Sequence, residues 1–167
     1  MPFSIIHSIQ TVFRLKIDKI YFFSEVFIML KGIPAIISPE LLKILCEMGH
    51  GDEIVIGDGN FPAASCAQRL IRMDGHNVPE ILDAVLQLFP LDTYVDAPVG
   101  LMATTKNDPT PEIWATYHEI VDKNNGKTAF EEVERFEFYE RTKKAYAVIA
   151  TSEKALYANI ILKKGVI

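Results

Sequence analysis

The sequence predicts a single-domain α/β fold, with helices layered on a mixed central sheet. Three observations carry this expectation: strand-like and helical segments alternate along the chain, two helices open with explicit capping signals, and two strand-like runs stand close together near the C-terminus. Strands so closely spaced favour an antiparallel hairpin, so the sheet is expected to mix strand directions.

Each element has a local reason. Ser38-Pro39-Glu40 opens the first helix with a hydroxyl cap, a proline at the first helical position and an acid near the positive dipole end. Gly49 is its expected stop, and Leu41, Leu42, Leu45, Cys46 and Met48 form its apolar stripe, with Lys43 and Glu47 outward. Residues 53–56 read as a short buried strand. It runs into Gly57-Asp58-Gly59-Asn60-Phe61-Pro62, a loop whose glycines permit a tight or left-handed backbone. Residues 69–73 form a second strand. Asn77-Val78-Pro79-Glu80 starts the next helix, along which Ile81, Leu82, Val85, Leu86 and Phe89 recur at helical spacing until Pro90.

Residues 99–103 read as a strand, and a turn at Asn107-Asp108-Pro109-Thr110 supplies a cap for a helix over 111–121. Asn124-Asn125-Gly126 breaks the chain again. Residues 136–144 are aromatic and charged, as at an amphipathic strand-to-helix junction. Residues 145–150 and 157–162 are the closing strands, bracketing a turn around Ser152-Glu153-Lys154.

Composition narrows the function. The chain has 167 residues, 49% hydrophobic and 23% charged, enough for one domain with a real core. Seventeen Lys and Arg against twenty-two Asp and Glu leave a net charge of −5, which argues against nucleic acid as a partner and toward a small or neutral ligand. Two cysteines, Cys46 and Cys66, make neither a disulfide framework nor a zinc pattern and read as reduced thiols of a cytoplasmic protein. The sequence lacks the G-x-G-x-x-G, G-x-x-x-x-G-K-[ST] and G-x-S-x-G signatures, so no nucleotide cofactor is expected.

Residues 1–28 stand apart. Arg14, Lys16, Asp18, Lys19 and Glu25 interrupt their apolar run, which suits neither a membrane span nor a signal peptide, and no membrane partner is expected. The segment has no sustained period or cap. Ser24-Glu25-Val26 can be encoded by a stretch containing a GGAGG ribosome-binding sequence, which makes Met29 a candidate start. The working domain is therefore expected at residues 29–167.

Among groups able to do chemistry, His50 comes first. It follows the helix-ending Gly49, where the negative end of the helix dipole favours a charged imidazole suited to proton transfer; the plainer role is a capping histidine. His7, His76 and His118 have weaker surroundings. Asp58, between two glycines at a strand end, suits hydroxyl binding, or it closes an Asx-turn. A metal site from His50, Asp52 and Asp58 is conceivable, but no second histidine stands at ligand spacing, so none is expected. Tyr157 and Asn159, two residues apart, are expected on one face of a strand, where a phenol and an amide suit hydroxyl recognition or simply half-buried packing. Eight residues separate His50 from Asp58, and an extended strand would hold them more than about 20 Å apart. They meet only if both flanks curl back or if one comes from a neighbouring subunit.

Read together, several motifs match a known family. Leu30-Lys31-Gly32-Ile33-Pro34, Ile37-Ser38-Pro39-Glu40-Leu41-Leu42, Met48-Gly49-His50-Gly51-Asp52-Glu53-Ile54, Asn60-Phe61-Pro62, Leu91-Asp92-Thr93-Tyr94, Arg135-Phe136-Glu137-Phe138-Tyr139-Glu140-Arg141 and Leu162-Lys163-Lys164-Gly165-Val166 occur in order. Residues 29–167 thus resemble the fucose-type branch of the ribose pyranase and fucose mutarotase family. Gly-His-Gly-Asp-Glu in place of the ribose branch's Gly-His-Thr-Asp, and the block from Arg135 to Arg141, favour the fucose branch.

The resemblance implies a ribose pyranase-like fold and an L-fucose mutarotase activity, with no cofactor and no metal. D-ribose pyranase and a non-catalytic sugar-binding module are the alternatives. It implies His50 and Tyr139 as the proton-handling residues, and Asp58, Asp92, Met102, Arg135, Tyr157 and Asn159 around the sugar. The family's aspartate usually stands in an alanine-rich loop, and the glycines beside Asp58 are expected to loosen it. A homo-oligomer, either a ring-shaped pentamer or decamer or a dimer, with sites near subunit interfaces is implied as well.

Overall fold

Residues 30–105 and 107–167 are described by a computed structural model. The expectations for residues 1–28, for the Met29 start and for His7 lie outside the described residues. The chain divides into two units, Met1–Ala35 and Ile36–Ile167. Of the first, residues 30–35 are turns, with the Ile33 N–H donating to the Leu30 carbonyl at 3.4 Å.

The second unit holds eleven elements among the described residues: α1 (Pro39–Glu47), β1 (Glu53–Gly57), α2 (Ala63–Cys66), β2 (Leu70–Met73), α3 (Val78–Leu86), β3 (Val99–Met102), α4 (Ile113–Asn125), β4 (Phe130–Val133), α5 (Arg135–Lys144), β5 (Ala147–Thr151) and β6 (Ile160–Lys163). The capping signals act as expected. Ser38 Oγ accepts from the Leu41 N–H at 3.1 Å, and Asn77 and Glu80 form a reciprocal capping box at the start of α3.

The six strands form one sheet in the order β2-β5-β1-β6-β3-β4. β6 runs antiparallel to both its neighbours, β1 and β3, and the other pairs are parallel, so the sheet is mixed. The expected hairpin of the last two strands does not form. β1 lies between β5 and β6, parallel to one and antiparallel to the other. Ile54, Val55 and Ile56 are wholly buried, and a strand that is apolar on both faces belongs in the middle of a covered sheet. The chain therefore steps past the end of β1 between β5 and β6. The edge strands carry charged residues in mid-strand, Arg72 on β2 and Glu131 and Glu132 on β4.

α2 and α5 cover one face. Phe61, Ala63 and Phe138 pack there with Val55, Met102, Val133, Val148 and Ile161. Alternate residues such as Ile54 and Ile56 point to the other face, where α3 meets β1 and packs against α4.

Several boundaries moved for identifiable reasons. α1 buries Leu41, Ile44 and Leu45, while Cys46 is exposed, so it is not part of the apolar stripe. α4 begins at Ile113 with no side-chain cap, and the turn at Asn107–Thr110 serves the preceding loop instead, through the Thr105 hydroxyl donating to Asp108 at 2.6 Å. The helix continues through Asn124 and Asn125 to Gly126, whose φ of 75° ends it. β4 and α2 are short elements whose hydrophobic pattern is too brief to read. β6 starts only at Ile160, because Tyr157 has a left-handed φ of 53°. Tyr157 and Asn159 consequently do not share a strand face.

Candidate active site

The sheet sorts the candidate residues to its two ends. His50 precedes β1 and Asp58 follows it, so the whole strand, about 17 Å of extended chain, stands between them. The flanks do not curl back together. This also separates the conceived metal set of His50, Asp52 and Asp58, and Asp52 is committed locally, its Oδ2 accepting the Gly49 N–H at 2.7 Å.

At the first end, His50 meets Asp92. The imidazole Nε2 stands 3.2 Å from Asp92 Oδ1, with the His50 side chain 48% exposed and that of Asp92 4% exposed. Asp92 is delivered by the chain that follows α3: its N–H donates to the Lys163 carbonyl, and the preceding Leu91 N–H donates to Asn125 Oδ1. The Tyr94 N–H donates to Asp92 Oδ1 at 2.9 Å and, ahead of His50 and Lys163, holds the Asp92 carboxyl below the usual carboxylate range. The charge that faces His50 is thus a carboxylate rather than a helix end, since α1 stops at Glu47 and its cap, Met48, is extended. The Tyr94 ring meets the imidazole edge-on, centroids 5.6 Å apart. Asp92 and Thr93 also wall a cleft of about 350 Å³ with Asn125 and Lys127.

At the second end, Asp58 and Asn159 pair. The Asp58 N–H donates to Asn159 Oδ1 and Asn159 Nδ2 donates to Asp58 Oδ2, both at 2.9 Å. Asn159 Nδ2 also reaches Met102 Sδ at 3.7 Å, so both hydrogens of its amide have partners. Burial pushes the Asp58 carboxyl above the usual range, against the Asn60 backbone N–H, the Asn159 amide and the Ala158 and Phe61 backbones. Tyr139 and Tyr157 pack, partly buried, on the cluster that contains Met102 and Phe61, and the Tyr139 and Phe61 rings lie 5.7 Å apart.

The glycines beside Asp58 do not loosen its loop; they let it pack. A β-carbon on Gly57 would meet the Phe61 ring at 2.8 Å, and one on Gly59 would meet the Glu153 carbonyl oxygen at 3.1 Å, while neither glycine has a positive φ. The loop is tied to the β5–β6 connection by the Gly59 N–H donating to the Glu153 carbonyl and by the Thr151 hydroxyl donating to the Gly57 carbonyl, each at 2.9 Å.

α5 carries Tyr139 and is anchored by Arg141. Its guanidinium donates to Glu53 of β1 at 2.7 Å and to Glu131 of β4 at 2.6 Å. Burial opposes the Arg141 charge, but these two carboxylates outweigh it and hold the group above its ordinary range. Arg135 stands exposed at the start of α5, 4.8 Å over the Phe136 ring, which in turn meets Tyr139 edge-on. The Tyr157 hydroxyl donates to Asp108 at 2.5 Å, and Tyr157 walls a cleft of about 450 Å³ with Leu156, Ile113 and Pro109. The weaker histidines lie elsewhere: His76 pairs with Glu80, and His118 lies against Phe130. Sequence reasoning overlooked Tyr94 as the neighbour of His50, and Trp114 and Tyr117, which hold the Tyr157 and Ala158 carbonyls.

The model of the RbsD / FucU transport protein family matches residues 31–167. The chain belongs to this family. Within it, a human protein named fucose mutarotase is 51% identical over 148 residues, spanning 84% of this chain and 96% of that one. The crystal structure of the fucose mutarotase of Streptococcus pneumoniae in complex with L-fucose superposes with a TM-score of 0.79 at 56% identity, covering 83% of this chain and 99% of that chain. The Bacillus subtilis family member RbsD, complexed with D-ribose, is more distant: TM-score 0.63, 26% identity, 78% and 94% coverage. The mixed α/β sheet is therefore the fold of this family's structures. No helix of the described residues is long and apolar enough to cross a membrane.

Proposed function

We propose that the protein is an L-fucose mutarotase, an isomerase that interconverts the α and β anomers of L-fucose by opening and closing the pyranose ring. The observation that carries this reading is the 56% identity, over nearly the whole of its length, to a fucose mutarotase solved with L-fucose. The D-ribose-bound relative, at 26% identity, keeps D-ribose as the alternative substrate of the same open-chain chemistry. A small sugar is the partner.

Anomer exchange moves two protons. A base takes the anomeric hydroxyl proton, an acid protonates the ring oxygen, the C1–O5 bond breaks, the aldehyde end rotates, and closure reverses both transfers. Electrons stay within the sugar, so the chemistry needs no redox cofactor or phosphate. In our assignment His50 donates to the ring oxygen, oriented by Asp92, and Tyr139 or a water beside it handles the anomeric proton. Asp58, Asp92 and Asn159 hold sugar hydroxyls, Met102 and Tyr157 give apolar contact, and Arg135 is a further candidate contact with the sugar.

The separation of His50–Asp92 from Asp58–Asn159–Tyr139 within one subunit supports a site shared between subunits of a homo-oligomer, a ring-shaped pentamer or decamer or a dimer. One subunit then contributes its first end and a neighbour its second. The free thiols of Cys46 and Cys66 fit a cytoplasmic setting. We assign residues 29–167 as the working domain, supported by the family match from residue 31, and expect a chain begun at Met29 to keep its activity.

Saturation-transfer NMR tests the assignment. The protein should accelerate anomer exchange of L-fucose more than that of D-ribose, and His50→Ala should slow it by about 10²–10⁴-fold. Unchanged exchange in His50→Ala would remove His50 from the mechanism. Tight binding of one anomer without acceleration would indicate a sugar-binding module instead.

A further inference from the structure

Tyr157 is the one residue other than glycine with a positive φ among the described residues. A β-carbon disfavours that conformation, so contacts from outside the segment must hold it. Two donors on α4 do so. Trp114 Nε1–H donates to the Tyr157 carbonyl and the Tyr117 hydroxyl donates to the Ala158 carbonyl, both at 2.9 Å. Three residues apart, the two side chains share one face of the helix and take consecutive carbonyls. Trp114 is 6% exposed and Tyr117 is wholly buried. The next residue is Asn159, whose amide is paired with Asp58, and the Asn159 carbonyl accepts the Met102 N–H at 3.2 Å. Burial, with the Glu153 and Asp58 charges adding, pushes the Tyr117 phenol up, so it remains a neutral donor.

We propose that Trp114 and Tyr117 are positioning residues of the reaction, locking the Tyr157–Ala158 peptides in the turned form that delivers Asn159 to Asp58 and Tyr157 to the sugar. Neither is assigned a contact with substrate. The inference rests on the sugar-holding role assigned above to Asp58, Tyr157 and Asn159. It differs from ordinary core packing because the indole N–H and the phenol O–H carry the effect, and the rings alone do not supply it.

Tyr117→Phe removes only the hydroxyl donor, while Trp114→Phe keeps an aromatic ring and removes the indole N–H together with part of the buried ring. Each should raise KM for L-fucose about tenfold with kcat nearly unchanged, the pattern of lost binding in ground and transition states alike. In ¹H–¹⁵N spectra of the sugar-free protein, each should also shift the Asp58 backbone amide and the Asn159 side-chain amide, while the Gly51 and Asp92 amides stay in place. Folded variants with wild-type KM and unmoved Asp58 and Asn159 resonances would overturn the proposal. A wild-type protein that fails to exchange the anomers would defeat the functional reading alone, and the amide shifts would still decide the positioning claim. Should Tyr117→Phe fail to fold, Trp114→Phe decides it by the same two measurements.

Discussion

Asp58 and Asn159 bond each other twice, backbone N–H to amide oxygen and amide N–H to carboxylate, across a sequence separation of 101 residues. The pair joins the end of β1 to the entry of β6. Each partner satisfies buried polar atoms of the other, so removing one orphans the other. Asn159→Ala and Asp58→Ala should each cost about 1–3 kcal/mol of stability. Combined, they should cost less than their sum, with a coupling of at least about 0.5 kcal/mol in a urea-unfolding double-mutant cycle. Strict additivity would mean that the two bonds do not hold in solution.

The two ends of the sheet make a complementation test possible. His50→Ala and Asp58→Ala homo-oligomers should each be nearly inactive. Subunits of the two variants unfolded together and reassembled at equal amounts should recover about a quarter of wild-type exchange, the share of head-to-tail interfaces that combine two intact halves. No recovery from assemblies of wild-type size would place the whole site within one subunit.

Gly57 and Gly59 carry a steric prediction. Gly57→Ala drives a methyl group into the Phe61 ring at 2.8 Å and should destabilise the fold by about 1–3 kcal/mol. Gly59→Ala meets the Glu153 carbonyl oxygen at 3.1 Å and should shift the Asp58 loop, weakening sugar binding more than it lowers the melting temperature. Thermal denaturation beside L-fucose titration separates the two effects. A Gly57→Ala protein as stable as wild type would show that the Phe61 ring yields freely.

Asp92 sets a pH dependence. Its carboxyl lies below the ordinary value of 3.8, chiefly through the Tyr94 N–H and then through His50, so ionised Asp92 stabilises the folded protein above that value. This contribution is lost as pH falls through the lower folded value. The melting temperature of wild type should therefore exceed that of Asp92→Asn at about pH 6, and the gap should close below about pH 4. A gap that stays constant down to about pH 3 would contradict the assignment.

Much of the local structure was legible in the chain because its causes are local. Ser38 capping Leu41, the helix start at Asn77-Val78-Pro79-Glu80 and the apolar run of β1 depend on neighbours within a few residues, and each acts as read. The same reading failed where a distant partner decided the outcome. Residues 157–162 read as one strand, yet Trp114 and Tyr117 hold the carbonyls of residues 157 and 158 in a turn, and the strand starts only at Ile160. Cys46 fits an apolar stripe by type, yet the helix presents Ile44 to the core in its place.

By itself the sequence determined the α/β class, the residue types able to move protons and bind hydroxyls, and the span limit that keeps His50 from Asp58. Those follow from side-chain chemistry, periodicity and the fixed rise of a strand. Only the tertiary structure decided that β1 sits between β5 and β6, that His50 faces Asp92, and that Asp58 is clasped by Asn159. Strand order and side-chain pairing depend on which distant surfaces bury best together, and pairings 42 and 101 residues apart leave no local signature in the chain.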